Sequence, residues 1–230
     1  MENIVENGTL KQRIIELNAA GKLPDFTLAA NRTLYRVQNK LYTTANPFNV
    51  PHQLKDLGRY NDPLFEMGVW FGAALPTGAL AEILGRERTG KAFASRTYLN
   101  WEKDLASRYM CEVETLHELK LLDIRRLLTR LGLTADEICG ASYGLTQHIV
   151  EVVSRLPGRP FAGIAYESRH NPDGSFCYAL WKASGEPAPL SEGKIETFGN
   201  YICTGAIADS FEGFITLEEM LTELLGYEIT

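Results

Sequence analysis

Residues 145–166, LTQHIVEVVSRLPGRPFAGIAY, hold both kinds of regular structure within one short length of chain. Leu145, Ile149, Val152, Val153 and Leu156 recur at the spacing of an apolar helix stripe, while His148, Glu151 and Arg155 occupy the other faces. Pro157 and Gly158 stop that helix, since proline offers no backbone donor and glycine accepts a left-handed turn. Residues 161–166 (FAGIAY) then read as a strand so continuously apolar that both of its faces are buried.

Outward from this unit, strands and helices alternate without a regular βαβ rhythm. Upstream, residues 33–37 (TLYRV) and 68–74 (GVWFGAA) predict strands. Between them, residues 39–63 carry Asn46, Pro47, Asn49, Pro51, Gly58, Asn61 and Pro63, a density of turn formers that predicts a long loop. Compact domains seldom keep such loops without a use, and ligand binding is the common one. Pro76 and Thr77 open a helix that runs through Leu84 and is ended by Gly85. A helix over 96–105 follows, then two strands, RYMCEVE and LKLLDI, joined by a short turn around His117, and a helix over 124–131. Thr134 and Glu137 form a capping-box pair. Downstream, residues 176–181 and 195–203 predict strands. Leu217, Met220, Leu221, Leu224 and Leu225 predict a closing helix behind a Thr216/Glu219 capping box. At the other end, Leu10, Ile14, Ile15 and Leu17 predict a short amphipathic helix stopped by Gly21 and Pro24. The pattern predicts an α+β fold with a helical appendage over 1–30 and one domain over 31–230, ending in a docked helix.

Composition narrows the function. Of the 230 residues 45% are hydrophobic and 23% charged, as in ordinary soluble globular proteins. A formal charge of -6 argues against broad attraction to nucleic acid or anionic membranes, so an anionic ligand must be gripped locally. No apolar run is long enough to span a bilayer and the N-terminus lacks signal-peptide character, which predicts a cytoplasmic protein. Cys111, Cys139, Cys177 and Cys203 are scattered, predicting reduced thiols. His52, His117, His148 and His170 show no ligand spacing, predicting no metal.

Four short stretches carry chemistry. In LYRV, Arg36 interrupts a strand, and a guanidinium there either reaches solvent or grips an anion or carboxylate. In GRYNDP, Arg59 and Tyr60 sit in a turn suited to holding phosphate while stacking on a flat ring. In GALAE, Glu82 interrupts small apolar residues on a helix. In YESRH, Ser168 follows a buried strand, where α/β-type folds place ligand-binding groups. A serine hydrolase using Ser168 and His170 lacks the GxSxG elbow. The GRERTGK stretch from Gly85 to Lys91 has P-loop spacing, but Ala92 stands where a magnesium-binding Ser or Thr belongs, and a helix precedes it.

LYRV, GRYNDP, GALAE and GIAYESRHN, in that order over residues 34–181, resemble the signature of the RES-domain family, named for an Arg, a Glu and a Ser. The resemblance implies a fold related to ADP-ribosyltransferase toxins and an activity that destroys NAD by hydrolysis or phosphorolysis. In that case NAD is substrate and no cofactor is needed. It also implies a toxin of a toxin-antitoxin pair, with a cognate antitoxin as partner and inorganic phosphate as one acceptor. Arg36, Glu82 and Ser168 match the naming positions, and Arg59 and Tyr60 match the family's Gly-Arg-aromatic turn, with Tyr35 accompanying Arg36. The chemistry agrees with these roles. Nicotinamide leaves NAD as a neutral molecule and needs no general acid, so one carboxylate suffices where glycosidases typically use two. Glu82 then stabilises the positive charge growing on the ribose. Arg36 and Arg59 bind the diphosphate, Ser168 bonds the ribose or holds Glu82, and Tyr60 stacks on a ring. Two alternatives share these residues: transfer of ADP-ribose to a protein or other macromolecule, and a non-catalytic nucleotide-binding module.

Overall fold

The computed structural model describes residues 2–88, 97–139, 142–170, 174–208 and 211–230. Helix α1 (Glu2–Ala19) leads to strands β1 (Asp25–Leu28) and β2 (Thr33–Asn39); a long connection with one 3-10 turn at Leu54–Asp56 leads on to β3 (Met67–Ala73). Helix α2 (Pro76–Arg88), the short strand β4 (Tyr98–Leu99) and a π-helical turn at Trp101–Leu105 come before β5 (Arg108–Glu114) and β6 (Leu119–Asp123). Helices α3 (Ile124–Leu131), α4 (Ala135–Cys139) and α5 (Gly144–Ser154) precede β7 (Gly163–Glu167) and β8 (Phe176–Ala183). The chain finishes through β9 (Lys194–Thr197), the hairpin of β10 (Ile202–Ala208) and β11 (Phe211–Thr216), α6 (Leu217–Glu219), a π-helical turn at Met220–Leu224, and β12 (Glu228–Ile229).

Eight strands form one sheet in the order β1-β6-β7-β8-β3-β2-β5-β9. Its neighbours pair antiparallel except β6 and β7, which run parallel. A parallel pair needs a crossover, and α3, α4 and α5 supply it. One apolar cluster lies where the helices pack and includes Ile14, Leu80, Ile149 and Ile164, each 0% exposed. A second cluster, around Leu34, Trp70, Leu121 and Leu180, lies on the other face. Strand β7, with four buried residues in succession, feeds both clusters, as its apolar sequence requires. The whole is a single mixed α+β domain.

One irregularity in the sheet positions the site. Strand β3 matches β8 over seven register pairs and β2 matches β5 over seven, yet β2 and β3 share the single pair Tyr35↔Ala73. Beyond that pair the sheet parts, and α2, which follows β3 directly, packs against both strands.

Local pattern and observed structure differ at five places. Helix α2 continues past Gly85 to Arg88. Residues 97–105 form β4 and a π-helical turn rather than a helix, held by β12, whose backbone pairs with Tyr98 and Leu99; Arg96 lies outside the described residues. RYMCEVE and LKLLDI are strands but not partners: β5 pairs with β2 and β9, and β6 with β1 and β7. The stretch over 195–203 divides into β9 and β10, because Phe198 and Tyr201 turn inward to the core. The closing helix carries its capping box, with Thr216 and Glu219 bonded reciprocally, but unwinds into a π-helical turn after Glu219.

Candidate active site

A cleft of about 650 Å³ opens where the sheet parts. Its floor is set by β2. Successive side chains of a strand face opposite sides: Tyr35 enters the main core, while Arg36 lies 5.9 Å from the Trp70 ring centroid and reaches the cleft through the gap. Arg36 donates from Nε to Gln38 Oε1 at 3.2 Å and from Nη1 to the Phe71 carbonyl at 3.1 Å. Among the described residues it forms no ion pair with a carboxylate. Burial pulls its pKa down from the usual arginine value, yet a guanidinium stays charged. Tyr35 does not line the cleft; it is 9% exposed, and burial holds its hydroxyl pKa at about 12.

The long loop delivers the second group. Its Gly58 N–H donates to Asn61 Oδ1 at 2.7 Å, a tight return that a side chain at Gly58 would obstruct, since a Cβ there would sit 2.8 Å from the same oxygen. Gln147 of α5 donates to the Gly58 carbonyl at 3.2 Å, and Trp181 of β8 donates from Nε1 to the Tyr60 carbonyl at 3.3 Å. Asp62, with a fully buried side chain, accepts from the backbone of Leu64 and Glu66 and from Arg155 Nη2 at 3.0 and 3.1 Å. So fastened, the loop turns Arg59 into the cleft, where its guanidinium stacks 4.6 Å from the Tyr143 ring centroid. Tyr60 is 3% exposed and packs on Tyr166, with ring centroids 4.7 Å apart.

Helix α2 supplies the carboxylate. Ala79, Glu82 and Ile83 face the cleft at helical spacing, and the helix start is pinned by Thr77 Oγ1, which donates to the Ile207 carbonyl at 2.9 Å. Glu82 forms no ion pair among the described residues.

The end of β7 completes the wall. Ser168 is 6% exposed, and its Oγ accepts the His170 N–H at 3.1 Å. The contact between the two residues runs through the His170 backbone rather than its ring. The His170 ring rests on α2 at Gly85, where a Cβ would lie 2.5 Å from His170 Cβ and 2.6 Å from Cγ. Gly85 is therefore a seat rather than a helix stop. Arg169 Nε donates to His170 Nε2 at 3.2 Å. Burial is the largest influence on the imidazole and, with Arg169 and Arg59 nearby, outweighs the pull of Glu82, leaving its pKa below the usual value and the ring neutral. At the rim Arg125 pairs with Glu167 and lies over the Phe176 ring, 4.5 Å from its centroid.

The structure thus brings Arg36, Arg59, Tyr60, Glu82 and Ser168 to one cleft and leaves Tyr35 out. Sequence reasoning missed His170 as a wall of the same site, Tyr143 as the platform under Arg59, Arg125 at the rim, and the apolar side chains of α3 and α4. A glycine inside a helical pattern signals close approach as readily as a stop, and that signal was present at Gly85. Of the P-loop-like stretch, Gly85 to Arg88 are helical, where a phosphate loop needs open turns; Thr89, Gly90, Lys91 and Ala92 lie outside the described residues. Among the described residues no three His, Cys, Asp or Glu side chains converge as metal ligands, and no helix is long and apolar enough to cross a membrane. Chemically, the cleft offers guanidinium groups for an anion and a carboxylate to face a developing positive charge.

Residues 33–198 match the family model of the RES domain. Among solved structures, a chain of the M. tuberculosis MbcT-MbcA toxin-antitoxin complex shares the fold with a TM-score of 0.59, at 15% identity over 94% of this chain and 96% of that one. No curated protein matches the sequence.

Proposed function

The chain belongs to the RES-domain family, and from that premise we propose that its cleft binds NAD and breaks the nicotinamide-ribose bond, with water or inorganic phosphate as acceptor. One observation carries the reading: Arg36 and Glu82, each without an ion-pair partner among the described residues, open into the same cleft as Arg59. In water-poor surroundings such charges act strongly on a ligand that matches them. Arg36 and Arg59 hold the diphosphate. Glu82 faces the reacting sugar and stabilises the cation that grows as neutral nicotinamide departs. Ser168, nearly buried and bonded to the His170 backbone, shapes the turn beside Glu82. Tyr60 packs the base of the loop. In a cell this reaction depletes NAD, so the protein is a toxin, and a cognate antitoxin that covers the cleft is its partner. The toxin-antitoxin pair in which the similar fold occurs supports that partner.

The test is incubation of purified protein with NAD, with and without phosphate, beside Glu82→Ala. Release of nicotinamide together with ADP-ribose or its phosphate is expected, falling about 10²- to 10³-fold in the variant, the usual cost of one electrostatic stabiliser. ADP-ribose recovered on a macromolecule would replace this reading with group transfer. Nucleotide binding without nicotinamide release would reduce the protein to a binding module.

A further inference from the structure

We infer that Gln38, a buried residue of β2 outside the cleft lining, is a positioning residue: its amide aims the Arg36 guanidinium into the cleft and, being neutral, leaves the full positive charge there for a diphosphate. The inference rests on the anion-binding role proposed above for Arg36.

Alternation along β2 puts Gln38 on the same side of the sheet as Arg36, away from Tyr35 and Val37, which enter the main core. Gln38 is 3% exposed, so the polar atoms of its amide need partners within the fold. Its Nε2 donates to the Thr44 carbonyl at 2.9 Å and to the Tyr42 carbonyl at 3.5 Å. Only the NH2 end of the amide can face two carbonyls, which turns Oε1 to Arg36 Nε at 3.2 Å. The chain just beyond those carbonyls is itself fastened: Trp70 Nε1 donates to the Ala45 carbonyl at 3.1 Å, and Asn46 Nδ2 donates to the Ser191 carbonyl at 2.8 Å. Gln38 therefore ties Arg36 to an anchored segment, while the Phe71 carbonyl at 3.1 Å holds Nη1.

The charge of the tether decides what the guanidinium can do. Elsewhere in the chain arginines are locked by carboxylates, Arg155 by Asp62 and Glu66, and Arg108 by Glu87. In those pairs the anion cancels the cation. Arg36 is held by two neutral oxygens, one amide and one carbonyl, which direct its N–H bonds without removing its net charge. In a partly buried site that charge acts on a ligand more strongly than it would in water. A glutamate at position 38 has nearly the same shape. It cannot donate to the Thr44 and Tyr42 carbonyls, however, and it would pair with Arg36 and neutralise it from within.

The experiment uses ADP-ribose, which carries the diphosphate but has no nicotinamide to lose. Wild type, Gln38→Met, Gln38→Glu, Arg36→Ala and the two double variants are titrated calorimetrically, with melting points taken beside them. Affinity is expected to fall about tenfold in Gln38→Met, where a charge-assisted hydrogen bond is lost, and about a hundredfold in Gln38→Glu, where the cation is neutralised. Neither substitution should lower affinity further once Arg36 is alanine, because each acts through the guanidinium. With NAD as substrate, both should raise KM more than they lower kcat. A loss of the same size in the Arg36→Ala background, or wild-type affinity in a folded Gln38→Glu, overturns the inference, as does a wild type that binds no ADP-ribose. If binding follows the expectation but wild type releases no nicotinamide from NAD, the positioning role stands and the proposed cleavage fails.

Discussion

At the scale of the residue, Gly85 and His170 make the sharpest case. Alanine in place of glycine inside a helix normally stabilises by about 0.5–1 kcal/mol. At position 85 the added methyl meets the His170 backbone-proximal atoms at 2.5–2.6 Å, and a flexible tip is not what must yield. Gly85→Ala is therefore expected to destabilise by about 1–3 kcal/mol, as overpacking does, and to lower kcat/KM for NAD by shifting the ring beside Glu82. The double variant Gly85→Ala/His170→Gly removes both the obstructing Cβ and the ring, so the added alanine no longer destabilises in the His170→Gly background. Urea melts of the four proteins measure this coupling, and additive losses would show that the ring does not rest on the glycine. The imidazole has its own pH signature. With a folded pKa below 6.5, the unfolded chain binds the proton more readily, so stability falls as pH drops through 6.5 toward the folded value. In His170→Gln that part of the slope disappears. Of the site, Arg36, Arg59, Glu82 and Ser168 were legible because each interrupts an apolar or turn-forming pattern. His170, Tyr143 and Arg125 were not, since a polar side chain on a surface helix or loop carries no local mark of the cleft it faces.

Among the elements, the loop that carries Arg59 and Tyr60 owes its shape to four anchors from distant strands and helices. The strongest is Asp62, whose side chain is 0% exposed and faces Arg155, itself 32% exposed and also paired to Glu66 at 2.7 Å. Removing the guanidinium leaves a buried carboxylate without its cation. Arg155→Leu should cost roughly 2–3 kcal/mol, below the 3–5 kcal/mol of a fully buried pair because the arginine is partly solvated. The loosened loop should raise KM for NAD more than it lowers kcat, since Arg59 binds rather than reacts. Steady-state kinetics beside a urea melt check both; an unchanged KM in a destabilised variant would detach the loop from substrate binding. Loop, anchors and helices differed in legibility. Helix α3 and the apolar stripe of α5 follow from spacing alone, and β7 and β8 from apolar runs bounded by turns. The partners of the loop do not, because Trp181 and Gln147 lie far away in sequence and nothing local pairs them with Tyr60 and Gly58.

On the scale of the whole molecule, strand pairing was the least legible property. A strand pattern fixes which face is buried but not which neighbour it meets, and β5 and β6, adjacent in sequence, lie on opposite sides of the sheet. What that assembly buries also sets how the protein responds to alkali. Cys111, Cys177 and Cys203 are 0–2% exposed free thiols, while the side chain of Cys139 lies outside the described residues. Burial raises the pKa of all three thiols above the ordinary 9.0, that of Cys111 to about 12, and raises Tyr178 from 10.0 to about 12. These groups keep their protons in the fold, whereas the unfolded chain releases them once pH passes their ordinary values. Fewer protons on the unfolded chain means that stability falls as pH rises from about 9 toward the folded values. Urea midpoints taken from pH 7.5 to 10.5 under reducing conditions should therefore decline from pH 9 upward. Cys111→Ala lowers the midpoint at neutral pH through the lost packing, but it should flatten the alkaline decline, since alanine has no proton to lose. A decline equally steep in that variant would mean that the thiol opens to water before the rest of the core, and that the sheet between β2 and β5, where Cys111 sits opposite Arg36, is looser than its seven register pairs imply.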